Sequence, residues 1–211
     1  TPWELDGHQK VITTAVPFLG ITPDSRAGAM GDAGVATSAD ANALHWNTSK
    51  LAFIEKDFGF ALSYTPWLQA IVPDIDLAYL SGYKRIDDRS AFGGSLRYFS
   101  LGDINFRDEQ GVSLGDYRPY EMAVDLGYAR KLSEEFSVGI ALRFIYSDLA
   151  GNTPLQGGAQ SSPGVAGSGD LSLTWRHPME INFGSEANPI ERNTILTLGA
   201  NLSNMGSKIS Y

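Results

Sequence analysis

The feature that most constrains this chain is an alternation of large apolar residues with small or polar ones, repeated in seven segments between Asp57 and Asn204. Successive side chains of a β-strand point to opposite faces, so a period of two predicts strands with one apolar face each. The apolar positions are Phe58, Phe60, Leu62, Tyr64; Ile75, Leu77, Tyr79, Tyr83; Phe92, Leu96, Tyr98; Met122, Val124, Leu126, Tyr128; Phe136, Val138, Ile140, Leu142, Phe144, Tyr146; Leu171, Leu173, Trp175; and Leu196, Leu198, Ala200, Leu202.

Alternation alone also describes a soluble β-sandwich, but three further features favour a membrane barrel. The segments run for about 9–11 residues, which suits a tilted strand crossing a bilayer, whereas soluble strands average about 5–6. Their second face consists mainly of Gly, Ala and Ser, and aromatic residues lie near the segment ends, as in the interfacial girdles of membrane barrels. We therefore expect an all-β protein, a transmembrane antiparallel β-barrel in the bacterial outer membrane.

Composition agrees with this fold and excludes some functions. Hydrophobic residues make up 43% of the 211 residues, with 23 glycines, 11% aromatics and no cysteine. No apolar run approaches the roughly 18 residues of a membrane-spanning helix. A net charge of −8 argues against nucleic-acid binding through phosphate contacts.

The connections predict two different sides of the barrel. Residues 84–90 and 131–135 are short and charged, as expected of periplasmic turns, whereas residues 65–73, 101–119 and 149–169 are longer loops. Residues 152–169 are rich in Gly, Ser, Pro and Gln, which predicts a mobile loop.

A charge ladder is predicted on the small, lumen-facing side of four strands, and it consists of Asp76, Arg97, Asp125 and Arg143. Asp76 and Arg97 are nearly equidistant from the turn between them, so we expect them side by side. Asp125 and Arg143 are offset by about two residues, which barrel stagger can absorb. The ladder is predicted to brace the barrel or a plug; the alternative is a selectivity row for a passing solute.

Residues 1–56 lack the alternation and are predicted to form a separate N-terminal plug, with residues 57–211 forming the first part of the barrel. A run of small residues follows Pro23, and Ser38 is a candidate cap for a short helix over residues 39–45. Such residues allow close backbone packing inside a barrel mouth.

The plug region also carries a family resemblance. Residues 23–34, Pro-Asp-Ser-Arg-Ala-Gly-Ala-Met-Gly-Asp-Ala-Gly, followed by Asp40-Ala41-Asn42 and His45-Trp46-Asn47, resemble the start of the PorV family. Residues 63–68, 77–80, 96–102 and 128–133 extend the resemblance over most of residues 12–148. The plug motif comprises Arg26, Gly28, Met30, Gly31, Asp32, Gly34, Trp46 and Asn47. The chain departs from the family at Thr48, where the family usually has proline.

The resemblance implies a FadL-like outer-membrane barrel of about fourteen strands, of which roughly half lie here. We therefore expect this sequence to be an incomplete part of a longer chain. By the same resemblance the protein is a non-enzymatic component of type IX secretion. It would associate with the large translocation pore, bind the carboxy-terminal signal domains of secreted cargo, and deliver them to a surface attachment complex, in contact with membrane lipid and lipopolysaccharide.

A partner-binding surface is predicted on the loop side. Trp67, Leu68 and Ile71 make one loop unusually apolar, and Phe106 and Tyr117 decorate the next. Exposed aromatic and aliphatic anchors suit a protein interface. The alternative is that Trp67 belongs to the membrane girdle.

Two other functions are alternatives to secretion. A FadL-like transporter of small hydrophobic compounds would need an apolar pocket near the plug. An outer-membrane hydrolase would need a nucleophile with a base, but His8, His45 and His177 lie outside the predicted strands and near no persuasive serine or acid. No metal-ligand spacing or phosphate loop appears. We expect no catalytic, cofactor or metal-binding residues.

Overall fold

The computed structural model describes residues 16–67, 74–107, 111, 113–149, 162–185 and 188–209. All seven predicted strands are present, and two more form a small hairpin. The strands are β1 (Phe58–Pro66), β2 (Asp76–Arg85), β3 (Ser90–Ser100), β4 (Ile104–Arg107), β5 (Ser113–Tyr117), β6 (Tyr120–Lys131), β7 (Phe136–Asp148), β8 (Gly164–Ser185) and β9 (Asn188–Gly206).

The main sheet is antiparallel and runs β1-β2-β3-β6-β7-β8-β9, with the β4–β5 hairpin inserted between β3 and β6. The sheet curls into a half-barrel. Its large outward side chains stay exposed, including Phe60 at 78%, Leu126 at 68% and Leu142 at 69%. The predicted apolar face therefore lies on the outside, and the small face forms the concave inner wall.

The inner wall is covered by the N-terminal segment, residues 16–57. It contains 3-10 helices at Pro17–Gly20 and Thr48–Phe53 and two short α-helices, α1 (Ser25–Ala29) and α2 (Ala43–Trp46). The second 3-10 helix contacts β2, β3, β6, β7 and β8, so it lies along the concave face.

Two apolar clusters join this segment to the wall at different levels. On the side of the longer loops, here the loop side, Phe18 and Leu19 pack with Leu77 and Phe99. Towards the short turns, here the turn side, Leu44 and Leu51 pack against Ala129 and other small wall residues. The segment is thus held at both ends of the wall.

Inner-wall glycines allow the segment's close approach. A Cβ added at Gly139 would lie 2.4 Å from the backbone nitrogen of Ser49, and one at Gly127 would overlap the Leu44 side chain. A Cβ at Gly199 would lie 2.5 Å from the Val35 carbonyl oxygen. The small face of the alternation is therefore required by the backbone that packs on it.

The predicted face of the second strand was wrong. Leu77 and Tyr79 are 1% exposed and point inward, whereas Asp76 and Leu80 point outward. Large residues occupy both faces of β2, so alternation alone could not assign them. Pairing decides, because Leu80 lies between the outward residues Leu62 and Leu96.

The loop predictions also need correction. Residues 101–119 contain the β4–β5 hairpin, and residues 164–169 belong to β8 and not to the predicted mobile loop. The two shorter predicted segments are the longest strands, with 22 residues in β8 and 19 in β9. Ser38 caps no helix over residues 39–45; α2 begins after Asn42, and Ser38 accepts a hydrogen bond from Arg26.

A two-stranded ribbon extends past the turn-side rim. The β7–β8 pairing ends with Phe136 opposite Trp175, yet β8 continues to Ser185, paired with β9. Roughly ten residues at about 3.3 Å each give it a length of about 33 Å. Glu135 fixes its base by accepting hydrogen bonds from Arg176 N at 2.8 Å and Trp175 Nε1 at 3.1 Å. The connections on the turn side are therefore not all short, contrary to the prediction from the loop lengths.

The inner-wall glycines generate a first prediction. Gly139→Ala should lower the free energy of unfolding by about 1–3 kcal/mol, because the methyl group meets backbone that cannot move aside. Thermal unfolding of the purified protein in detergent measures this. Gly167→Ala is the matched control, since the nearest atom to its added Cβ is 3.9 Å away. Equal midpoints for the two variants would contradict the close-packing account.

Candidate functional site

Asn47 is the most extensively bonded polar residue between the N-terminal segment and the sheet. Its side-chain nitrogen donates to the Val35 carbonyl at 2.9 Å, the Leu173 carbonyl at 3.1 Å and Thr174 Oγ1 at 3.0 Å. Its oxygen accepts from the backbone nitrogen and hydroxyl of Ser49. Since Asn47 is fully buried, every one of these bonds replaces lost water.

Ser49 continues this contact into the sheet. Its backbone nitrogen donates to Ser172 Oγ at 3.0 Å, its hydroxyl lies 2.7 Å from Thr174 Oγ1, and its carbonyl accepts from Ser137 Oγ at 2.9 Å. We call Asn47, Ser49, Ser137, Ser172 and Thr174 the serine knot. It ties the second 3-10 helix to β7 and β8.

Trp46 and Gly34 form a second contact within the segment. Trp46 Nε1 donates to Asp24 Oδ2 at 2.9 Å, while Asp24 Oδ1 caps α1 through Ala27 N at 2.8 Å. The indole lies so close to Gly34 that an added Cβ would overlap it. Gly34 is therefore needed for the approach of the indole ring.

Lys50 is a buried cation of the same segment, 2% exposed. Its Nζ donates to the Gly34 carbonyl at 2.6 Å and to Thr37 Oγ1 at 3.1 Å. Burial lowers the pKa of Lys50 to about 8, while Asp40 acts in the opposite direction. The ammonium is thus mostly protonated at neutral pH and crosslinks residues 34–37 to the second 3-10 helix.

Arg97 links the sheet to the loop-side part of the segment. Its guanidinium donates to the Leu19 carbonyl at 2.8 Å, the Phe18 carbonyl at 3.3 Å and His45 Nδ1 at 2.7 Å, and it lies over the Tyr79 ring. Because arginine only donates, His45 must accept through Nδ1 and carry its proton on Nε2. Burial and the neighbouring cations Arg97, Arg143 and Lys50 hold the pKa of His45 well below its usual value.

Arg143 stands at the centre of the charged row. It lies directly opposite Asp125, without the predicted offset, and its Nε donates to Asp125 Oδ1 at 2.5 Å. Its other nitrogens donate to Asp170 Oδ2 at 3.2 Å and to Asn204 Oδ1. Asp125 also accepts from Ser95 Oγ at 2.7 Å, so both carboxylates are satisfied although buried.

Asp76 does not belong to this row. It lies on the outer face, opposite Ser100 and not Arg97, and accepts a hydrogen bond from the Tyr64 hydroxyl at 2.5 Å. The inner row is therefore Arg97, Asp125, Arg143 and Asp170. Asp170 is not predicted from the sequence, because it lies beside the Gly- and Ser-rich stretch whose composition is typical of a loop.

The rest of the plug motif stabilises the segment's own turns. Arg26 forms an ion pair with Asp40 at 3.0 Å. Gly31 and Asp32 both have left-handed backbone, with φ of 73° and 62°, and Asp32 accepts from Thr22 Oγ1 at 2.6 Å. Gly28 lies inside α1, and Met30 follows it, 46% exposed.

Only some of the predicted partner-binding residues are among those that the structure describes. Trp67 is 38% exposed at the loop-side end of β1. Tyr117 donates from its hydroxyl to the Asp148 carbonyl at 3.4 Å and so rests on β7. Leu68 and Ile71 lie outside the described residues, as does the side chain of Phe106 in β4.

The β4–β5 hairpin is braced where it joins the sheet. Arg118 donates through two nitrogens to Asp103, each at 2.8 Å, and Asp103 N donates to Asp74 Oδ2 at 2.7 Å. The Arg118 side chain holds the pKa of Asp103 below its usual value. The base of the hairpin is therefore fixed at the loop-side end of the sheet.

The polar groups of this site are suited to holding backbone in place. Within the part of the chain that the structure describes, no group of three His, Asp or Glu side chains could hold a metal ion. No helix in that part is long and apolar enough to cross a membrane. The signals that could have found the serine knot are weak, since serine and threonine on a small-residue face are unremarkable in sequence.

A half-barrel sheet wrapped on its own N-terminal segment, with a continuous apolar outer face, defines the architecture of a β-barrel-like protein. The family model described as Type IX secretion system protein PorV matches residues 4–211. The chain therefore belongs to the PorV family of type IX secretion system components. No curated protein matches the chain.

The Arg97–His45 contact predicts acid sensitivity. The pKa of His45 is below 6.5 in the folded protein, so the unfolded state takes up the proton first and stability falls as pH drops below about 6.5. Measured by hydrogen exchange and corrected for the intrinsic rate, which itself falls with pH, the protection of residues 16–57 should decrease between pH 7.5 and pH 5. The surrounding arginines stay charged over this range, and Lys50 becomes more fully protonated.

His45→Gln, whose amide oxygen can still accept from Arg97, should flatten this dependence. His177→Gln is the control, because His177 contacts Glu135 on the turn side. The mechanism is refuted if the parent and His45→Gln respond identically to acid.

Thr48 offers a test of the family's usual proline. It is the first residue of a 3-10 helix, where proline is favoured, and Asn47 before it is extended with ψ of 99°. Thr48→Pro should raise stability by about 0.4–1 kcal/mol, because the unfolded chain loses freedom. A marked fall in the thermal midpoint would mean that the turn has diverged in this chain.

Proposed function

We propose that this protein is an integral outer-membrane β-barrel that serves type IX secretion as a non-enzymatic carrier component. The proposed membrane location is supported by the outer face of the sheet, where large apolar side chains are exposed on all seven strands. Soluble monomers rarely expose apolar patches larger than a few hundred Å². Lipid is the environment in which such a surface is stable.

The height of the apolar face fits the outer membrane. On β7, the outward residues from Phe136 to Tyr146 are apolar or aromatic throughout. Ten residues span about 33 Å along the strand and about 25 Å along the barrel axis at a tilt of about 40°. Tyr98, Tyr120 and Tyr146 stack at the loop-side boundary, with ring centroids 5.6 and 5.9 Å apart.

Closure follows from the same environment. β1 and β9 are the edges of the described sheet. Unpaired N–H and C=O groups are costly in hydrocarbon, so the sheet should belong to a closed, FadL-like barrel. In that barrel residues 57–211 would form the first part of the wall and residues 1–56 the plug.

A firmly held plug is consistent with a component that binds cargo at the surface and does not conduct it through the barrel. The serine knot, Lys50 and Arg97 fix the N-terminal segment by hydrogen bonds to wall and segment backbone. Passage through the barrel would require breaking these contacts. Work at the surface, on the loop side, leaves them intact.

On the loop side the protein would associate with the large translocation pore, bind the carboxy-terminal signal domains of secreted cargo, and pass them to the surface attachment complex. Trp67 supports this, because an exposed indole suits protein recognition, and the β4–β5 hairpin on the same side is braced at its base by Arg118. Lipopolysaccharide and other membrane lipids would surround the apolar face.

Transport of small hydrophobic compounds is the second candidate. A cavity of about 990 Å³ lies beside the N-terminal segment on the turn side, lined in part by Lys50, Phe53, Tyr83 and Arg176. Copurified lipid-like compounds, identified by mass spectrometry, would favour this role. Recovery of a large barrel protein or of secreted cargo would favour secretion.

A matched pair of variants tests the secretion role. Trp67→Ala in the full-length tagged protein should reduce the pore protein or cargo recovered in mild detergent at least several-fold, because an interface anchor is lost. Tyr98→Ala removes an aromatic of the outer belt and should leave recovery unchanged. Equal recovery with both variants would place Trp67 in the membrane girdle. Failure of the parent to recover either partner would contradict the secretion proposal.

A further inference from the structure

The outer face of the sheet carries charges of opposite sign at its two boundaries. At the turn-side end it presents Lys84 on β2 and Arg130 on β6, both exposed. At the loop-side end it presents the carboxylates Asp76 and Asp148. Between these ends the outward positions of β2, β6 and β7 carry no charge.

Neither turn-side cation has a carboxylate partner within ion-pair distance among the described residues. Lys84 Nζ lies 6.0 Å from the centroid of the Phe58 ring. By contrast Arg85, the next residue along, pairs with Asp57 at 3.2 Å and Asp88 at 3.7 Å. Asp87 lies near Arg130, but its carboxylate already accepts from Arg89 N at 2.8 Å.

The two cations are close enough to serve one site. Lys84 lies opposite Phe92, Phe92 lies opposite Tyr128, and Arg130 lies one outward position beyond Tyr128. Two strand spacings and two residues along the strand give a Cα separation of about 12 Å. Two extended side chains can close that distance on one anionic group.

The surroundings indicate what that group is. Phe92 and Tyr128 pack at 5.0 Å between the cations and mark the turn-side aromatic belt, and the Tyr128 hydroxyl donates to Ser90 Oγ at 3.2 Å. Cations just beyond an aromatic belt lie at the depth of lipid phosphates. A free anion would gain nothing from the apolar surface directly below.

We propose that Lys84 and Arg130 form a binding site for the phosphate of a phospholipid headgroup in the turn-side leaflet. The inference rests on the proposed membrane location. Phe92 and Tyr128 separate the two cations and contact the upper acyl chain, while the charges hold the headgroup.

The test uses the full-length protein in detergent and native mass spectrometry with added phosphatidylglycerol. Each cation near a lipid surface contributes enough to change affinity about fivefold, so Lys84→Gln with Arg130→Gln should weaken binding about 30-fold. Arg107→Gln with Lys208→Gln removes the same charge at the loop side, where both residues are exposed, and should leave binding unchanged.

Two further arms distinguish the sources of binding. A galactosyl diacylglycerol with the same acyl chains should bind the parent and the Lys84/Arg130 variant alike, because it lacks phosphate. Inorganic phosphate at matched concentration should not displace phosphatidylglycerol. Equal loss of both lipids in the variant, or displacement by free phosphate, overturns the headgroup site.

Flotation of the parent and the variants with liposomes separates this inference from the proposed function. If all of them float but the Lys84/Arg130 substitutions leave phosphatidylglycerol affinity unchanged, the proposed lipid site is wrong and the membrane location stands. If the parent does not float, the membrane proposal fails and the lipid site fails with it.

Discussion

The contact on which the structure depends is backbone against backbone, between the second 3-10 helix and the inner face of β7 and β8. At Gly139 the wall has no side chain, and Ser49 takes its place, bonded to Ser137 and Ser172. An isolated curled sheet would leave this concave face wet and its apolar rows unpacked. With the segment in place, hydrogen bonds to Asn47 and packing of Phe18 and Leu44 cover the wall from end to end. The alternation of the strands thus matches two different faces, an inner one packed against backbone and an outer one whose large apolar side chains are exposed.

Much of the sheet could be predicted from sequence because its signal is local. Seven alternating segments became seven strands, and Asp125 and Arg143 were placed on the inner face by period alone. The predicted outward face of β2 is wrong because large apolar residues, Leu77, Tyr79 and Leu80, occupy both of its faces. Only the pairing with β1 and β3 decides which face points outward. The partners of the buried groups could not be predicted either. Asp170 and Asn204 reach Arg143 from strands far along the chain, and a bulge between Gly169 and Leu171 brings them into position.

The inner row and the outer boundary use charge in different ways. Inside, Arg143 lies between two carboxylates and Arg97 among carbonyl oxygens, so each buried charge is neutralised or hydrogen-bonded locally. Charged groups are costly to bury, and removing one partner of a buried pair is strongly destabilising. These contacts therefore fix one arrangement of the wall and the N-terminal segment. Outside, Lys84 is left without an acidic partner among the described residues. Both features would suit the proposed membrane barrel, which needs a firmly packed interior and an outer surface matched to lipid.

The β8–β9 ribbon has a consequence for the order of assembly. It pairs residues as near in sequence as Ser185 and Asn188, so its first contacts close a very short loop and can zip outward from there. Asn47, by contrast, must find Thr174 across 127 positions of chain. We expect the ribbon and its neighbouring hairpins to form early and the N-terminal segment to dock last, onto a wall that already exists. A segment that precedes every strand of the sheet in sequence would then be among the last to reach its native position.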